Sequence, residues 1–226
     1  MSRKTAGRLV VPGEVIVTGN YRAGANTVKI SSSVIATRTG LLRMSGNVVS
    51  VVALRGFYTP QVGDRVIGVI EDLEGNGWKV DINAPYPAFL PASEIFGRRF
   101  DPLRHNLFEK LPLGSVVYAK VRAFDRTQNT LLTLKGPGMG RIEEGILAYI
   151  TPQKIPRLIG KSGSMIALVK QFTNTKLIVG ENGRVVVVSR DKASEERVLA
   201  AIKKIDEEAH ISGLTERVIE VLRGEA

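Results

Sequence analysis

The chain has no cysteine and only two histidines in 226 residues. The absence of cysteine excludes disulfides, a thiol nucleophile and every cysteine-based zinc site. A Ser–His–Asp arrangement or a histidine-rich metal site would have to use His105 or His210. These lie far apart in sequence, His105 after Arg104 and His210 behind the acidic run Asp206-Glu207-Glu208. Both read as solvated imidazoles, and the acidic run reads as a solvated helix face. Long apolar stretches are also missing. Runs such as Val185 to Val188 are far too short to span a bilayer. Met1 to Arg8 is polar and basic and lacks the apolar stretch of a signal peptide. A soluble, cytoplasmic protein with no membrane partner is expected.

Further absences bear on catalysis. Gly160-Lys161-Ser162 carries the end of a G-x-x-x-x-G-K-[ST] phosphate loop, but Ile155 stands where its first glycine would be. The acidic pairs Glu143-Glu144 and Glu195-Glu196 are sequence neighbours whose side chains diverge, which does not suit two-metal chemistry. The expectation is a protein without catalytic residues, metal or cofactor.

What the chain has is positive charge, +10 overall with a pI near 10. Such a balance calls for a polyanion, and no basic amphipathic helix or lipidation signal favours a membrane, so nucleic acid is the expected partner. The charge is uneven. Residues 1–58 hold eight Lys/Arg against one acid, a net +7. Residues 59–137 stand at +1 and residues 138–226 at +2, with +5 concentrated in residues 141–190.

These three segments differ in pattern as well. Residues 1–58 read as a small all-β domain: the β-branched runs Leu9–Val11, Glu14–Val17, Val28–Ile30, Val34–Ala36 and Val48–Leu54 alternate with turn signals at Pro12-Gly13, Gly24, Gly40 and Ser45-Gly46-Asn47. Residues 59–137 read as five strands, near Arg65–Glu71, Trp78–Ile82, Ala88–Leu90, Val116–Phe124 and Thr130–Leu134. The turn Glu74-Gly75-Asn76-Gly77 and a long connection from Ser93 to Pro112 fit an OB-type barrel. Gly136 to Gly140 reads as a flexible joint. Residues 138–226 then switch to α+β, with strands at Gly145–Thr151, Lys176–Val179 and Arg184–Ser189. Helices are expected after Pro156, over Ser164–Phe172, after a cap at Asp191, and over Leu214–Leu222 beginning at Ser212.

The most informative string runs from Ile155 to Ile166, with Gly160-Lys161-Ser162-Gly163 between two short helices. Glycine lets a sugar-phosphate backbone approach closely, the second helix opens its free amides there, and Lys161 and Arg157 add charge. Alone, such a loop could be an ordinary helix corner. In its βααββα setting it resembles the GXXG loop of a type I KH domain, which clamps single-stranded nucleic acid. The barrel offers weaker signals. Trp78, Tyr86 and Phe89 are candidates for base stacking, or for core and interface positions, and Arg65, Arg98, Arg99, Lys120, Arg122 and Arg126 could supply charge or be plain surface.

Three features in order, Val10-Val11-Pro12-Gly13-Glu14, Pro60-Gln61-Val62-Gly63-Asp64 and the KH-like module, resemble the S1–KH cap subunits of the archaeal RNA exosome, the ribosomal RNA processing protein four family. The resemblance covers almost all of the chain, and Gly180-Glu181-Asn182-Gly183 matches the Gly-x-Asn-Gly turn typical of these cap KH domains. It implies an N-terminal β domain docking on a ring of RNase PH-like subunits and three cap copies per ring, with S1 barrels towards the pore. Such caps are non-catalytic. They capture single-stranded RNA, commonly A-rich, and feed its 3′ end to a phosphorolytic chamber. Part of the N-terminal charge would then meet the ring and part would line the RNA path. S1 domains often carry a histidine just after the third-strand aromatic. Here Phe89-Leu90 is followed by Pro91, so a structural or pore-lining role is implied for this barrel rather than stacking. A transcription or ribosome-associated S1–KH protein would need room for a second KH unit. A ribonuclease of the polynucleotide phosphorylase type would reverse the KH and S1 order and add catalytic domains. An autonomous RNA-binding adaptor remains the next alternative.

The charge makes a direct prediction. Phosphate contacts release counterions, so RNA affinity measured by filter binding should fall steeply between low and moderate salt. A flat salt profile would contradict the electrostatic reading.

Overall fold

The structure, a computed structural model, describes residues 7–54, 56–97, 100–101, 103–125, 129–209, 211 and 213–224. The chain divides after Gly56 into two compact units.

The first unit consists of short strands: β1 (Leu9–Val10), β2 (Val15–Thr18), β3 (Arg22–Ala23), β4 (Thr27–Ile30), β5 (Ser33–Ala36), β6 (Gly40–Ser45) and β7 (Val48–Ala53). They form a sheet in the order β1-β6-β7-β3 and another in the order β2-β5-β4. Val10, Val34, Leu42, Val49 and Val51 fill the core. The sequence pattern missed β6 because Gly40 looks like a turn. Gly40 instead sits inside the strand, where a Cβ would collide with the Val52 carbonyl, so glycine here serves close strand packing. Alternation along β6 and β7 leaves one face apolar and uncovered: Leu9 stands opposite Leu41, and Leu41 opposite Val52, all exposed.

The second unit begins with a closed barrel. Its strands are β8 (Arg65–Glu74), β9 (Gly77–Asp81), β10 (Ala88–Pro91), β11 (Val116–Ala123) and β12 (Thr130–Thr133). The order is β12-β10-β9-β8-β11, and β11 pairs back to β12, which leaves the five-strand set without an open edge. Inward-facing Val66, Ile70, Val80, Leu90, Val117, Val121 and Leu132 make the core around Trp78. The connection from β10 to β11, read from sequence as a loop, contains two single-turn helices, α1 (Ser93–Phe96) and α2 (Leu107–Lys110). Its anchor is Glu94, whose buried carboxylate accepts from the Thr133 hydroxyl at 2.5 Å and the Leu134 N–H at 3.1 Å. His105 is not a solvated imidazole: it is half-buried, with its ring 4.6 Å from that of Phe96 and 5.9 Å from that of Phe100. His210 lies outside the described residues. The stretch read as a flexible joint ends in β13 (Gly140–Ile142), which pairs with Val116–Tyr118 of β11.

From there the chain runs β14 (Ile146–Tyr149), α3 (Ile155–Ile159), α4 (Ser164–Thr173), β15 (Lys176–Val179), β16 (Arg184–Val188), α5 (Lys192–Glu208) and α6 (Leu214–Arg223). The antiparallel sheet β14-β16-β15 and the order βααββα give the type I KH topology, and α6 is appended to it. Asp191 caps α5 by accepting from the N–H groups of Ala193 and Ser194. Apolar residues of α5 at helical spacing, Val198, Ile202 and Ile205, pack on Leu158, Val169, Val185 and Val187, and Val218 and Leu222 of α6 join them. The acidic end of α5 is not simply a solvated face. Asp206 accepts from the Thr151 N–H at 2.9 Å and lies 3.4 Å from the Lys154 ammonium, while Glu208 pairs with Lys204 and Arg217. α6 starts after Gly213; Ser212 lies outside the described residues.

Barrel and KH fold meet through the turn Gly180–Gly183. The fully buried Asn182 presents its carboxamide to the barrel like a peptide group. Its Oδ1 accepts from the Ile67 N–H at 3.2 Å, and its Nδ2 donates to the carbonyls of Ile67 and Ile82, both at 2.8 Å. The Asn182 carbonyl accepts from the Asn83 amide at 3.0 Å, and the Glu181 N–H donates to the Arg65 carbonyl at 2.8 Å. Both glycines are required. Gly180 lies so close to the Ile67 N–H that a Cβ would sit 2.9 Å from its nitrogen, and Gly183 takes φ +81°, where a Cβ would collide with the Ile150 carbonyl oxygen. Arg184, also buried, pairs with Asp81 across the same joint.

Replacing Asn182 by alanine removes the carboxamide as partner of the Ile67 N–H and the Ile82 carbonyl, each at about 1–3 kcal/mol, while the Ile67 carbonyl keeps the Arg184 guanidinium at 3.4 Å. Calorimetry of Asn182→Ala should show a melting temperature lower by roughly 5–10 °C. An unchanged melting temperature would mean that the joint does not carry this stability.

Candidate nucleic-acid interface

The KH loop is set by its backbone. α3 is pinned by buried Ile155 and Leu158, and its start is tied to α5 through Thr151, Lys154 and Asp206. Gly160 ends α3 at φ +76°, and a Cβ there would lie 2.6 Å from the Met165 nitrogen, at the first turn of α4. Ser162 and Gly163 follow in left-handed conformations, at φ +54° and +82°. The chain therefore folds back tightly, and Arg157, Lys161 and Ser162 stand exposed. All five predicted loop residues, Arg157, Gly160, Lys161, Ser162 and Gly163, come together here. Beside them runs a mainly apolar hollow of about 420 Å³, lined by Pro152, Ile155, Pro156, Ile159, Gly160 and Glu181. A cationic, close-approach loop next to an apolar groove suits a phosphate chain with its bases turned inward.

Glu181 was not singled out from the sequence. It closes the groove from the turn that bolts the KH fold to the barrel. Partial burial there, and a hydrogen bond and repulsion from Asp64, hold its carboxyl above the usual carboxylate range. Asp64 in turn accepts from the Tyr58 hydroxyl at 2.7 Å; burial first and this hydrogen bond second push the Tyr58 phenol well above its ordinary range.

The barrel candidates separate. Trp78 is a correction: it is fully buried, and its indole N–H donates to the Leu111 carbonyl at 3.1 Å, so its ring has no face for a base. Phe89 lies half-buried on the outer face, where Lys79 and Leu131 are its cross-strand neighbours and Gly77 leaves room for its ring. Tyr86 packs edge-on against Phe124 with centroids 5.1 Å apart. Arg65 and Lys120 face each other across β8 and β11, both exposed. Lys120 and Arg122 share a hollow of about 370 Å³ with Lys135 and the buried Glu94. Lys135 was missed because it comes from beyond β12, and only barrel closure brings it there. Arg98, Arg99 and Arg126 lie outside the described residues. Among the described residues no helix is long and apolar enough to cross a membrane.

Glu181 gives a pH prediction. A carboxyl with a raised folded pKa contributes stability below its unfolded value, and loses that contribution as pH rises through the folded value. Glu181→Gln, which keeps a hydrogen-bonding group without charge, should therefore raise the melting temperature at pH 7. The gain should shrink as pH falls through the raised folded value and be gone below about 4, where the glutamate is protonated in the folded and the unfolded chain alike. A gain independent of pH would exclude ionisation as the cause.

Comparison with known proteins extends these observations. Residues 57–100 match the model of the "RRP4, S1 domain" family, and residues 147–207 match the KH domain model. The exosome complex component Rrp4 of Thermococcus kodakarensis is 42% identical over 216 residues, covering 95% of this chain and 84% of that protein. The Rrp4 of Nitrosopumilus maritimus is 38% identical, covering 95% of each. A crystal structure of a protein assigned provisionally to the exosome as an RNA-binding component superposes with a TM-score of 0.71 at 42% identity, over 75% of this chain and 97% of that one. With such identity along nearly its full length, an S1-type barrel and a type I KH fold, the chain belongs to the Rrp4 family of exosome complex components.

Proposed function

We propose that the chain is a non-catalytic RNA-binding cap of the exosome, holding single-stranded, A-rich RNA and guiding its 3′ end into a phosphorolytic ring of RNase PH-like subunits. One observation carries the reading: the exposed Gly160–Gly163 loop, fixed between two anchored helices beside an apolar groove. The names of the relatives supply the exosome context. A non-catalytic role is in keeping with Asp206 and Glu208 at the end of α5, whose carboxylates are committed to Thr151, Lys154, Lys204 and Arg217.

The division of labour follows the segments. Residues 1–58 dock on the ring, three copies per ring, and residues 59–137 form the S1 domain towards the pore. Residues 138–226 hold RNA through Arg157, Gly160, Lys161, Ser162 and Gly163, in a cytoplasmic complex. For docking, the exposed row Leu9, Leu41 and Val52 supplies an apolar face, and the +7 of this segment suits an acidic partner surface. On the barrel, Arg65, Lys120 and Arg122 with Lys135 supply charge to a passing strand.

The test is decay of labelled poly(A) in phosphate by the ring alone, the chain alone and both together. The chain alone should be inert, and the mixture should degrade RNA faster or further than the ring alone. Lys161→Asp/Ser162→Asp should remove most of that gain without loss of fold, because both side chains are exposed. Charge reversal at Arg22 and Arg43 should weaken ring binding. Degradation by the chain alone would overturn the non-catalytic role, and inertness in every setting would favour an autonomous adaptor.

A further inference from the structure

The helix α6 packs against α4 and α5 and contributes Val218 and Leu222 to the KH core. It lies beyond residue 207, where the match to the KH domain model ends. Its first turn stands beside the glycine loop, and between them opens a cleft of about 630 Å³. This volume exceeds that of the apolar groove and falls within the range of pockets that hold nucleotide-sized ligands.

The cleft and the groove share Pro156 and Gly160, so both border the start of the glycine loop. A strand held on that loop has two adjoining hollows within reach. The linings differ. The groove is mainly apolar, whereas the cleft sets Arg157 and Lys161 on the loop side against Met165, Ile211 and Leu214 as an apolar wall. Glu216, an exposed acceptor, stands at the α6 side. Phosphate is drawn to the basic side. Glu216 repels phosphate but accepts from base amino groups, so a nucleotide here is oriented with its base towards α6.

We propose that this cleft is a further RNA subsite, taking the nucleotide next to those held on the glycine loop and its groove, so that α6 lengthens the KH footprint. The proposal rests on the KH loop binding single-stranded RNA, as argued above.

The experiment measures binding of the full chain to labelled oligoadenylates of increasing length, from four nucleotides upward, by fluorescence anisotropy. Thr215→Asp adds a negative charge to the cleft, and Glu216→Gln removes one. Both positions are exposed in the first turn of α6, and circular dichroism checks the fold. The shortest oligomer should bind all three proteins alike. For longer oligomers Thr215→Asp should lose about fivefold in affinity, and Glu216→Gln, whose carboxamide oxygen still accepts from a base while the repulsion of phosphate is gone, should gain by a similar factor. A 4-thiouridine placed one nucleotide beyond the clamp should crosslink to residues 213–216, located by mass spectrometry. Equal length dependence in all three proteins, with no crosslink to α6, would overturn the subsite while leaving the KH loop intact. If Lys161→Asp/Ser162→Asp keeps wild-type affinity at every length, the KH reading fails and the subsite falls with it.

Discussion

The side-chain amide of Asn182 stands at the centre of the seam that joins barrel and KH fold. Ile67 leaves a backbone N–H and a carbonyl that no strand satisfies at that point, and the carboxamide answers both as a neighbouring strand would. The same group also reaches the Ile82 carbonyl, and no other side chain of its size carries donor and acceptor in that arrangement. Buried away from water, these bonds are costly to lose, which explains why glycines flank the asparagine: backbone must approach backbone for the amide to reach. Arg184, buried and paired with Asp81, adds a charged bond at the same seam.

This joint has a consequence for the KH groove. The turn between β15 and β16 carries Glu181 into the groove wall while its neighbour Asn182 is fixed to the barrel. One edge of the groove is therefore tied by hydrogen bonds to the barrel. The opposite edge, formed by α3, the glycine loop and α4, depends on local anchors: Ile155 and Leu158 in the core, and Asp206 holding the turn before α3. Burial works against the Asp206 carboxylate, but the Thr151 N–H and the Lys154 ammonium outweigh it and leave its pKa lowered. Asp206 of α5 thus holds the turn that leads into α3.

The barrel shows the opposite economy. Its one tryptophan goes to the core, where Trp78 fills the centre of a small closed sheet and satisfies its N–H on the Leu111 carbonyl. Its outer face includes the charged Arg65, Lys120, Arg122 and Lys135, the half-buried Phe89 and Tyr86–Phe124 pair, and the exposed Phe108 of α2. Sequence alone could not separate these roles, because an aromatic at a strand position faces inward or outward according to register, and register shifts at bulges such as the one between Ile70 and Asp72.

Local chemistry accounts for what was legible. Turn residues, β-branched runs and caps act over a few positions, so the strand sets, the Asp191 cap, the glycine loop between helices and the βααββα order could be read from the chain, as could the charge that points to a polyanion. Tertiary structure decided what depends on distant segments meeting. It buried Trp78, turned Gly40 from an apparent corner into a strand residue, and committed Asp206 and Glu208 to partners. It also brought Lys135 beside Lys120, and α6 beside the glycine loop. Sequence patterns carry the preferences of each segment. Which face a residue shows, and to whom, is fixed only when long-range burial and hydrogen bonding choose one packing among many.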